Sequence, residues 1–165
     1  MRTLRVRGLV QGVGFRPYVW RLATELGLSG WVRNDSAGVT IAVAGAALDA
    51  FLTRLPLEAP RLARIDAIET LDDATDIGEL PGFSILESVA GTVATAIGPD
   101  AAVCADCLAD IFDPANRRWR YAFTTCTHCG PRFTVSRSIP YDRAQTSLAP
   151  FTLCPACERE YRHPA

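Results

Sequence analysis

The fold is predicted mainly by residues 8–39, GLVQGVGFRPYVWRLATELGLSGWVRNDSAGV. This stretch starts at the end of a strand in which apolar residues alternate with arginines, and Gly12 and Gly14 interrupt that strand just before Pro17. Proline suits the first turn of a helix, where its missing N–H is not needed. Apolar residues then recur at helical spacing until Gly27, on Phe15, Tyr18, Val19, Leu22, Ala23 and Leu26. A second strand follows, and residues 34–38 predict a hairpin turn into a third.

The segments outside this stretch extend the pattern to strand, helix, strand, strand, helix, strand. Leu48, Phe51, Leu52 and Leu55 form a second helical stripe, and ARIDAIETL, residues 63–71, predicts the next strand. GFSILES, residues 82–88, predicts a short edge strand. This order is typical of an α+β fold, a ferredoxin-like βαββαβ sandwich over residues 1–90. Small and turn-forming residues predict a linker over 91–100.

Charge is unevenly distributed along the chain. Residues 1–64 carry nine arginines against four acidic residues, whereas residues 65–100 carry eight acidic residues and no basic one. The first region therefore favours a small anion as ligand. No apolar run reaches the roughly 18–20 residues that cross a bilayer, and residues 1–10 do not form a signal peptide. We therefore expect a cytoplasmic protein without a membrane partner.

The glycine-flanked loop from Gln11 to Arg16 is the first candidate site. Glycines let the backbone approach a ligand closely, and successive N–H groups in such a turn form an anion-binding concavity. The helix that follows adds the positive end of its dipole, and Arg16 adds a planar fork of donors. We expect phosphate to bind Gln11, Gly12, Val13, Gly14, Phe15 and Arg16. The alternative is a plain glycine turn with Arg16 as a surface charge.

Asn34 is the second candidate residue, since it lies at the end of the second strand. In a ferredoxin-like arrangement this end lies near the loop after the first strand. The Asn34 side-chain oxygen can then hold a water while Arg16 and the loop hold a phosphoryl group. The alternative is an ordinary hairpin asparagine in the left-handed region.

Two CxxC pairs, Cys104/Cys107 and Cys126/Cys129, predict a metal site in residues 101–165. Four thiolates at this spacing make a closed tetrahedral zinc site, for which a structural role is the default. Disulfides are disfavoured in a cytosolic chain. His128, inside the second pair, is not needed as a ligand.

An internal repeat with an offset of fifty residues places a third pair, Cys154 and Cys157, opposite Cys104 and Cys107. The residues that would complete this second finger fall beyond Ala165, so the chain looks cut inside the repeat. The half-site is expected to be vacant or irregular. The alternatives are recruitment of His163 or of another chain, and disorder.

The segment RRWRYAF, residues 117–123, interleaves arginines with aromatic residues. Such a strip can bind single-stranded nucleic acid by stacking and phosphate contacts. It can equally form a strand with its aromatic residues inward. The charge excess of this region is small, so nucleic acid is the disfavoured partner.

The residues quoted for 8–39 closely resemble the acylphosphatase signature. The resemblance implies that Arg16 and Asn34 are the catalytic pair, that residues 11–16 cradle the phosphate, and that the asparagine orients the attacking water. It covers residues 2 to about 90. Arg16→Ala is then expected to abolish hydrolysis.

The fingers CxxC…CTHCGPRFT and CPACEREYR, following such a domain, resemble the HypF-type hydrogenase maturation carbamoyltransferases. The resemblance implies hydrolysis of carbamoyl phosphate, or another small acyl phosphate, to carbamate and phosphate as the first step of carbamoyl transfer. It also implies a hydrogenase maturation partner with a C-terminal cysteine and a role in making the cyanide ligand. From this resemblance we expect the chain to lack the family's ATP-binding and transferase domains. The alternative function is a non-catalytic zinc-stabilised scaffold, or a binding module, with an anion-binding loop.

Overall fold

The structure is a computed structural model, and it describes residues 1–71, 82–89, 98, 100–126, 129–130 and 133–162. In the first region, five strands and two helices follow one another as β1 (Arg2–Leu9), α1 (Phe15–Glu25), β2 (Ser29–Asp35), β3 (Gly38–Ala44), α2 (Leu48–Leu57), β4 (Arg64–Leu71) and β5 (Phe83–Ile85). The predicted order of strands and helices is therefore confirmed.

The five strands form one sheet in the order β4-β1-β3-β2-β5. Neighbours among the first four strands are antiparallel, and β5 pairs in parallel with the outer edge of β2. The first four strands have the ferredoxin-like arrangement, and β5 is the short edge strand that the sequence predicts. This arrangement places the start of α1 and the end of β2 beside the β2–β3 turn.

The core lies between this sheet and the two helices, because the helical stripes read from the sequence are the faces that become buried. Its largest fully buried side chains include Leu4, Phe15, Ile41, Phe51 and Leu55. The Tyr18 hydroxyl donates hydrogen bonds to the backbone carbonyls of Arg54 and Leu55, and these bonds link α1 to α2. Burial raises the pKa of Tyr18 to about 12, so this donor keeps its proton at physiological pH.

The segment around β5 is hydrogen-bonded to β2 and to α1. Gly30 N–H donates to the carbonyl of Gly82, and Val89 N–H donates to the carbonyl of Asn34. The Trp20 indole N–H donates to the carbonyl of Phe83 at 3.0 Å. The chain between residues 82 and 89 therefore runs along β2 toward the end of that strand.

The cysteine region contains two short α-helices, α3 (Ala105–Phe112) and α4 (Pro155–Arg162). Each begins one residue after the first cysteine of a CxxC pair, and the two helices are offset by fifty residues, as the internal repeat requires. Two 3-10 turns, Phe133–Val135 and Arg143–Gln145, lie between them.

The alternative of a strand over residues 117–123, with its aromatic residues inward, is wrong. The segment forms turns, with Arg120 at a φ of 59°, and it leaves Trp119, Tyr121 and Phe123 exposed. Arg117 and Arg118 instead pair with Glu160 of α4. These ion pairs join the two halves of the repeat. The alternation of arginines and aromatic residues within 117–123 cannot reveal such long-range contacts.

The predicted linker over 91–100 lies mostly outside the described residues, so the boundary at residue 90 stays a prediction. His128 and His163 also lie outside them. Among the residues that the structure describes, no helix is long and apolar enough to cross a membrane.

Candidate active site and metal centre

The loop between β1 and α1 has the backbone geometry that an anion site requires. Gly12 and Gly14 have φ values of 66° and 75°, in the region that side chains disfavour. Gly14 is also the N-cap of α1. Because glycine has no side chain, it cannot cap the first N–H groups of the helix. The first N–H groups of a helix have no partner inside it. The start of α1 is therefore suited to receiving an oxyanion.

The side chains of this loop divide between the core and the neighbouring hairpin. Val13 and Phe15 are buried in the hydrophobic core, so only their backbone is available to a ligand. The Gln11 side chain is also buried, and its Nε2 donates to the carbonyls of Asp35 at 2.6 Å and Gly38 at 2.7 Å. The Gln11 side chain thus fastens the loop to the β2–β3 turn, and any contribution to a phosphate cradle would come from its backbone.

Arg16 extends from the first turn of α1 toward the cysteine region. Its Nη1 lies 3.3 Å from Oγ of Ser88 and 3.5 Å from Oδ2 of Asp142, and its Nη2 lies 3.4 Å from the carbonyl oxygen of Tyr141. The side chain is only 19% exposed. The alternative of a plain surface charge therefore does not describe Arg16.

Asn34 lies in β2, paired with Val39, and not in a left-handed turn. Its side chain is buried, and Nδ2 donates to the carbonyl oxygen of Tyr141 at 3.1 Å. Within the described residues, Oδ1 is a buried acceptor with no hydrogen-bond partner. An unpaired buried acceptor is costly unless a ligand or water meets it. This is the atom predicted from the sequence to hold a water.

The hairpin turn beside Asn34 is stabilised by the next residue. Asp35 accepts hydrogen bonds from Ala37 N–H at 2.8 Å and from Thr40 Oγ1 at 2.6 Å. An Asx turn of this kind fixes the chain direction at the end of β2. The Asx turn therefore holds the chain immediately after Asn34.

Arg16 and Asn34, the predicted pair, meet at one oxygen atom. The Tyr141 carbonyl lies within hydrogen-bonding range of both, although it is 125 residues from Arg16 and 107 from Asn34 along the chain. Tyr141, Asp142 and Ser88 carry no local sequence signal of a site, and no motif around PYDR, residues 140–143, points to them. Only long-range contacts bring these residues to the loop.

The predicted metal site is also assembled. Sulfur atoms of Cys104 and Cys126 lie 3.8 Å apart, those of Cys126 and Cys129 3.9 Å, and those of Cys129 and Cys107 3.7 Å. All four sulfurs lie within 4.8 Å of one another. A tetrahedron with metal–sulfur bonds of about 2.3 Å has sulfur–sulfur edges of about 3.8 Å, so the four thiols fit zinc.

The thiols of this cluster differ in acidity. Burial raises the pKa of Cys107, and contacts with the other three cysteines act in the same direction. Burial also acts to raise the pKa of Cys129, but hydrogen bonds from the backbone of Cys104 and Cys126 outweigh it and lower that pKa to about 7. Metal binding requires thiolates, so it would release protons from this cluster.

Cys154 and Cys157 lie apart from this cluster. Among the described residues, they belong to no group of three or more candidate ligands. Nη1 and Nη2 of Arg117 lie 3.5 and 3.6 Å from Sγ of Cys157. Hydrogen bonding from Cys157 lowers the pKa of Cys154, and the charge of Arg117 adds to this effect. The half-site interpretation stays a prediction.

Comparison with known proteins finds two family matches. The acylphosphatase model matches residues 2–85, and the model of the HypF finger matches residues 103–136. An acylphosphatase from Caldivirga maquilingensis is 40% identical over 83 residues, which are 48% of this chain and 86% of that protein.

Longer relatives match both regions together. Carbamoyltransferase HypF2 from Cupriavidus necator is 59% identical over 155 residues, covering 92% of this chain and 19% of the relative. The crystal structure of full-length HypF in the phosphate- and nucleotide-bound form superposes with a TM-score of 0.88 at 41% identity, covering 99% of this chain and 22% of that one. The chain thus spans about a fifth of the length of these relatives.

Proposed function

Since this chain belongs to the HypF carbamoyltransferase family, with an acylphosphatase domain over residues 2–85, we propose that this enzyme domain hydrolyses carbamoyl phosphate to carbamate and phosphate. The observation that carries the proposal is the meeting of Arg16 and Asn34 at one oxygen atom beside the start of α1. Two donors from separate elements, a glycine loop and a helix N-terminus meet there. This is the set of groups that binds a phosphoryl group and stabilises its charge.

The proposed reaction needs positioning more than it needs a strong base. The oxygen of a water attacks phosphorus in line, and the bond from phosphorus to the carbamoyl oxygen breaks. The bonding electrons leave with carbamate, and one proton of the water passes to an oxygen of the phosphate that forms. Carbamate is a weakly basic leaving group, so it needs no acid to protonate it. Arg16 and the loop amides would hold the phosphoryl oxygens, and Oδ1 of Asn34 would accept a hydrogen bond from the attacking water.

Phosphate release by the purified chain tests this function directly. Carbamoyl phosphate and acetyl phosphate would be compared at equal concentrations, with inorganic phosphate as competitor. Hydrolysis of carbamoyl phosphate supports the proposal, and the ratio of the two kcat/KM values reports the acyl preference. Release of no phosphate from either compound would leave the zinc-stabilised scaffold as the better description.

Asn34→Ala is expected to lower kcat about 100-fold while inhibition by inorganic phosphate stays within about threefold of normal. The reason is that the substitution removes the acceptor for the water but leaves Arg16 and the loop in place. Steady-state kinetics with a phosphate inhibition series measure both quantities. A variant that loses phosphate inhibition instead would reassign Asn34 to phosphate binding.

The four-cysteine cluster would hold zinc as a structural ion. When bound, zinc would cross-link the two CxxC turns, and with four thiolate ligands it would keep no open position for substrate. The spacing of the sulfurs supports this assignment. Metal analysis of the purified chain identifies the ion.

The further steps and the cellular setting are part of the same proposal. Carbamate would pass to other domains of a carbamoyltransferase, and the carbamoyl group would then be transferred to the C-terminal cysteine of a hydrogenase maturation partner. The relatives named as carbamoyltransferases support the transfer reaction. Six free cysteines arranged in metal-type pairs support a reducing compartment, the cytoplasm.

A further inference from the structure

We propose that the cysteine region completes the hydrolytic site, with Asp142 as a positioning residue for Arg16 and the Tyr141 carbonyl as a positioning group for Asn34. This inference rests on the proposed function and adds two groups to it. Tyr141 and Asp142 contact all three polar side chains at the loop: Gln11, Arg16 and Asn34. Residues more than a hundred positions apart thereby form one polar network.

The Asp142 carboxylate restricts the Arg16 side chain. Its Oδ2 lies 3.5 Å from Nη1 of Arg16 and accepts a hydrogen bond from Oγ of Ser88 at 3.0 Å. Its Oδ1 accepts from the N–H of Arg143 at 2.7 Å and lies 3.4 Å from the hydroxyl of Tyr161. A carboxylate held from both sides is a fixed partner. Because a free arginine has a large rotamer entropy, pairing with such a partner keeps the fork near the loop before substrate arrives.

The Tyr141 carbonyl determines which end of the Asn34 amide faces the site. An asparagine side chain carries donors at one end and an acceptor at the other. Donation from Nδ2 to the Tyr141 oxygen fixes the donor end, and Oδ1 is consequently the end left without a partner in the described structure. A reversed amide would place two oxygens against each other. The carbonyl thus holds the acceptor end ready for a water proton.

Gln11 connects Tyr141 to the same hairpin that holds Asn34. The N–H of Tyr141 donates to Oε1 of Gln11 at 3.0 Å. The other end of the Gln11 amide donates to the carbonyls of Asp35 and Gly38. The buried glutamine is therefore a bridge between the cysteine region and the β2–β3 turn. This bridge explains why a polar residue is buried at the start of a phosphate loop.

The contacts to Arg16 are long and do not use all of its donors. They range from 3.3 to 3.5 Å, longer than the 2.7–3.2 Å of ordinary N–H···O bonds. A guanidinium has five N–H donors, so it can keep acceptors on one side and present others to a phosphoryl group. Asp142 also carries a negative charge near that group. Asp142 could therefore compete with phosphate for Arg16 instead of positioning it, and an experiment must distinguish these two roles.

Asp142→Ala and Asp142→Asn test the proposal in the full chain, with Asp66→Ala as the matched control. Asp66 pairs with Arg64 on the exposed edge of β4, so the control breaks a more exposed ion pair that involves neither Arg16 nor Asn34. Asp142→Ala is expected to lower kcat for carbamoyl phosphate roughly tenfold while phosphate inhibition changes less than about threefold. Asp142→Asn keeps an acceptor oxygen and is expected to recover most of the rate.

The opposing results are distinct. Unchanged kcat in Asp142→Ala, as in the control, would overturn the positioning role. A higher kcat together with stronger phosphate inhibition would show that Asp142 competes for Arg16, and would overturn it as well. Circular dichroism of both Asp142 variants checks that the fold is retained.

A second readout separates this inference from the proposed function. If the unaltered chain hydrolyses no acyl phosphate, the proposed function fails. The mobility of the Arg16 side chain then still tests whether Asp142 positions it. Nitrogen-15 spectra of arginine Nε–H groups, assigned with Arg16→Lys, measure that mobility. A sharp Arg16 signal that broadens in Asp142→Ala but not in Asp66→Ala supports the positioning role. A signal that is the same in all three proteins refutes it.

Discussion

Replacing Arg16 by alanine is expected to lower kcat for carbamoyl phosphate by about 10³-fold or more, with the fold retained. A single arginine that stabilises a transferring phosphoryl group contributes on this scale, because charge spreads over the oxygens in the transition state. Arg16 is partly buried beside the glycine loop, where a lost donor is not readily replaced by water. The substitution removes no residue of the hydrophobic core. Phosphate release measured over several hours is sensitive enough to detect the residual rate.

Arg21→Ala is the matched control, since Arg21 lies on the exposed side of the same helix. It removes one positive charge from α1 without touching the loop, and its kcat is expected to stay within about twofold of normal. Arg16→Lys keeps the charge but loses the planar fork, so it should fall between the two. Near-normal turnover in Arg16→Ala would show that the loop does not carry the chemistry.

Removal of the metal, or Cys129→Ala, is expected to unfold the cysteine region while the sheet domain stays folded. From residue 100 onward, the described chain buries few side chains: Cys107, Thr124, Cys129, Pro140 and Thr146. Structural zinc contributes about 10–16 kcal/mol of apparent binding free energy in zinc-finger peptides, so a region with so small a core depends on it. The sheet domain has its own apolar core and needs no such support.

Amide hydrogen exchange measures the two regions separately. Protection in residues 104–130 should be lost on chelation, whereas protection in β1 and β3 should be unchanged. Cys154→Ala is the control, because Cys154 is exposed and outside the four-cysteine cluster. Retained protection around Cys107 after complete metal removal would contradict a structural role. If Tyr141 and Asp142 position the catalytic pair, the same treatment also lowers hydrolysis.

Local patterns in the sequence predict most of the fold. The stripe from Phe15 to Ala23 is the buried face of α1, and the hairpin turn lies where Asp35 and Gly38 place it. These features depend on spacing within a few residues, which the chain displays directly. The spacing of the two CxxC pairs also predicts that their four thiols lie together, because that spacing is typical of a metal site with four cysteine ligands.

The rest of the site depends on contacts that local spacing does not contain. Gln11 is correctly assigned to the loop, but its side chain serves the hairpin and Tyr141 instead of pointing at an anion. Asp142 has no motif around it, and its proximity to Arg16 follows from how the cysteine region lies against the sheet domain. The aromatic residues of 117–123 show the converse case. A plausible strand pattern yields turns, and Arg117 and Arg118 pair with Glu160, which lies more than forty residues further along the chain.

The three-residue strand β5 shields one edge of the sheet. Three residue pairs and the flanking bonds at Gly82 and Val89 hold this segment on β2. If it detaches, β2 presents unpaired N–H and C=O groups that can accept a strand from a second molecule. Such detachment costs less than global unfolding, since the rest of the core stays closed.

Self-association through the edge of β2 would therefore require this local opening first. The protecting segment continues into Ser88, which contacts Arg16 and Asp142 at the loop. An oxyanion that orders this neighbourhood would also hold the segment in place by mass action. Solutions containing phosphate should consequently delay the growth of intermolecular sheets, even at temperatures where the native population barely changes.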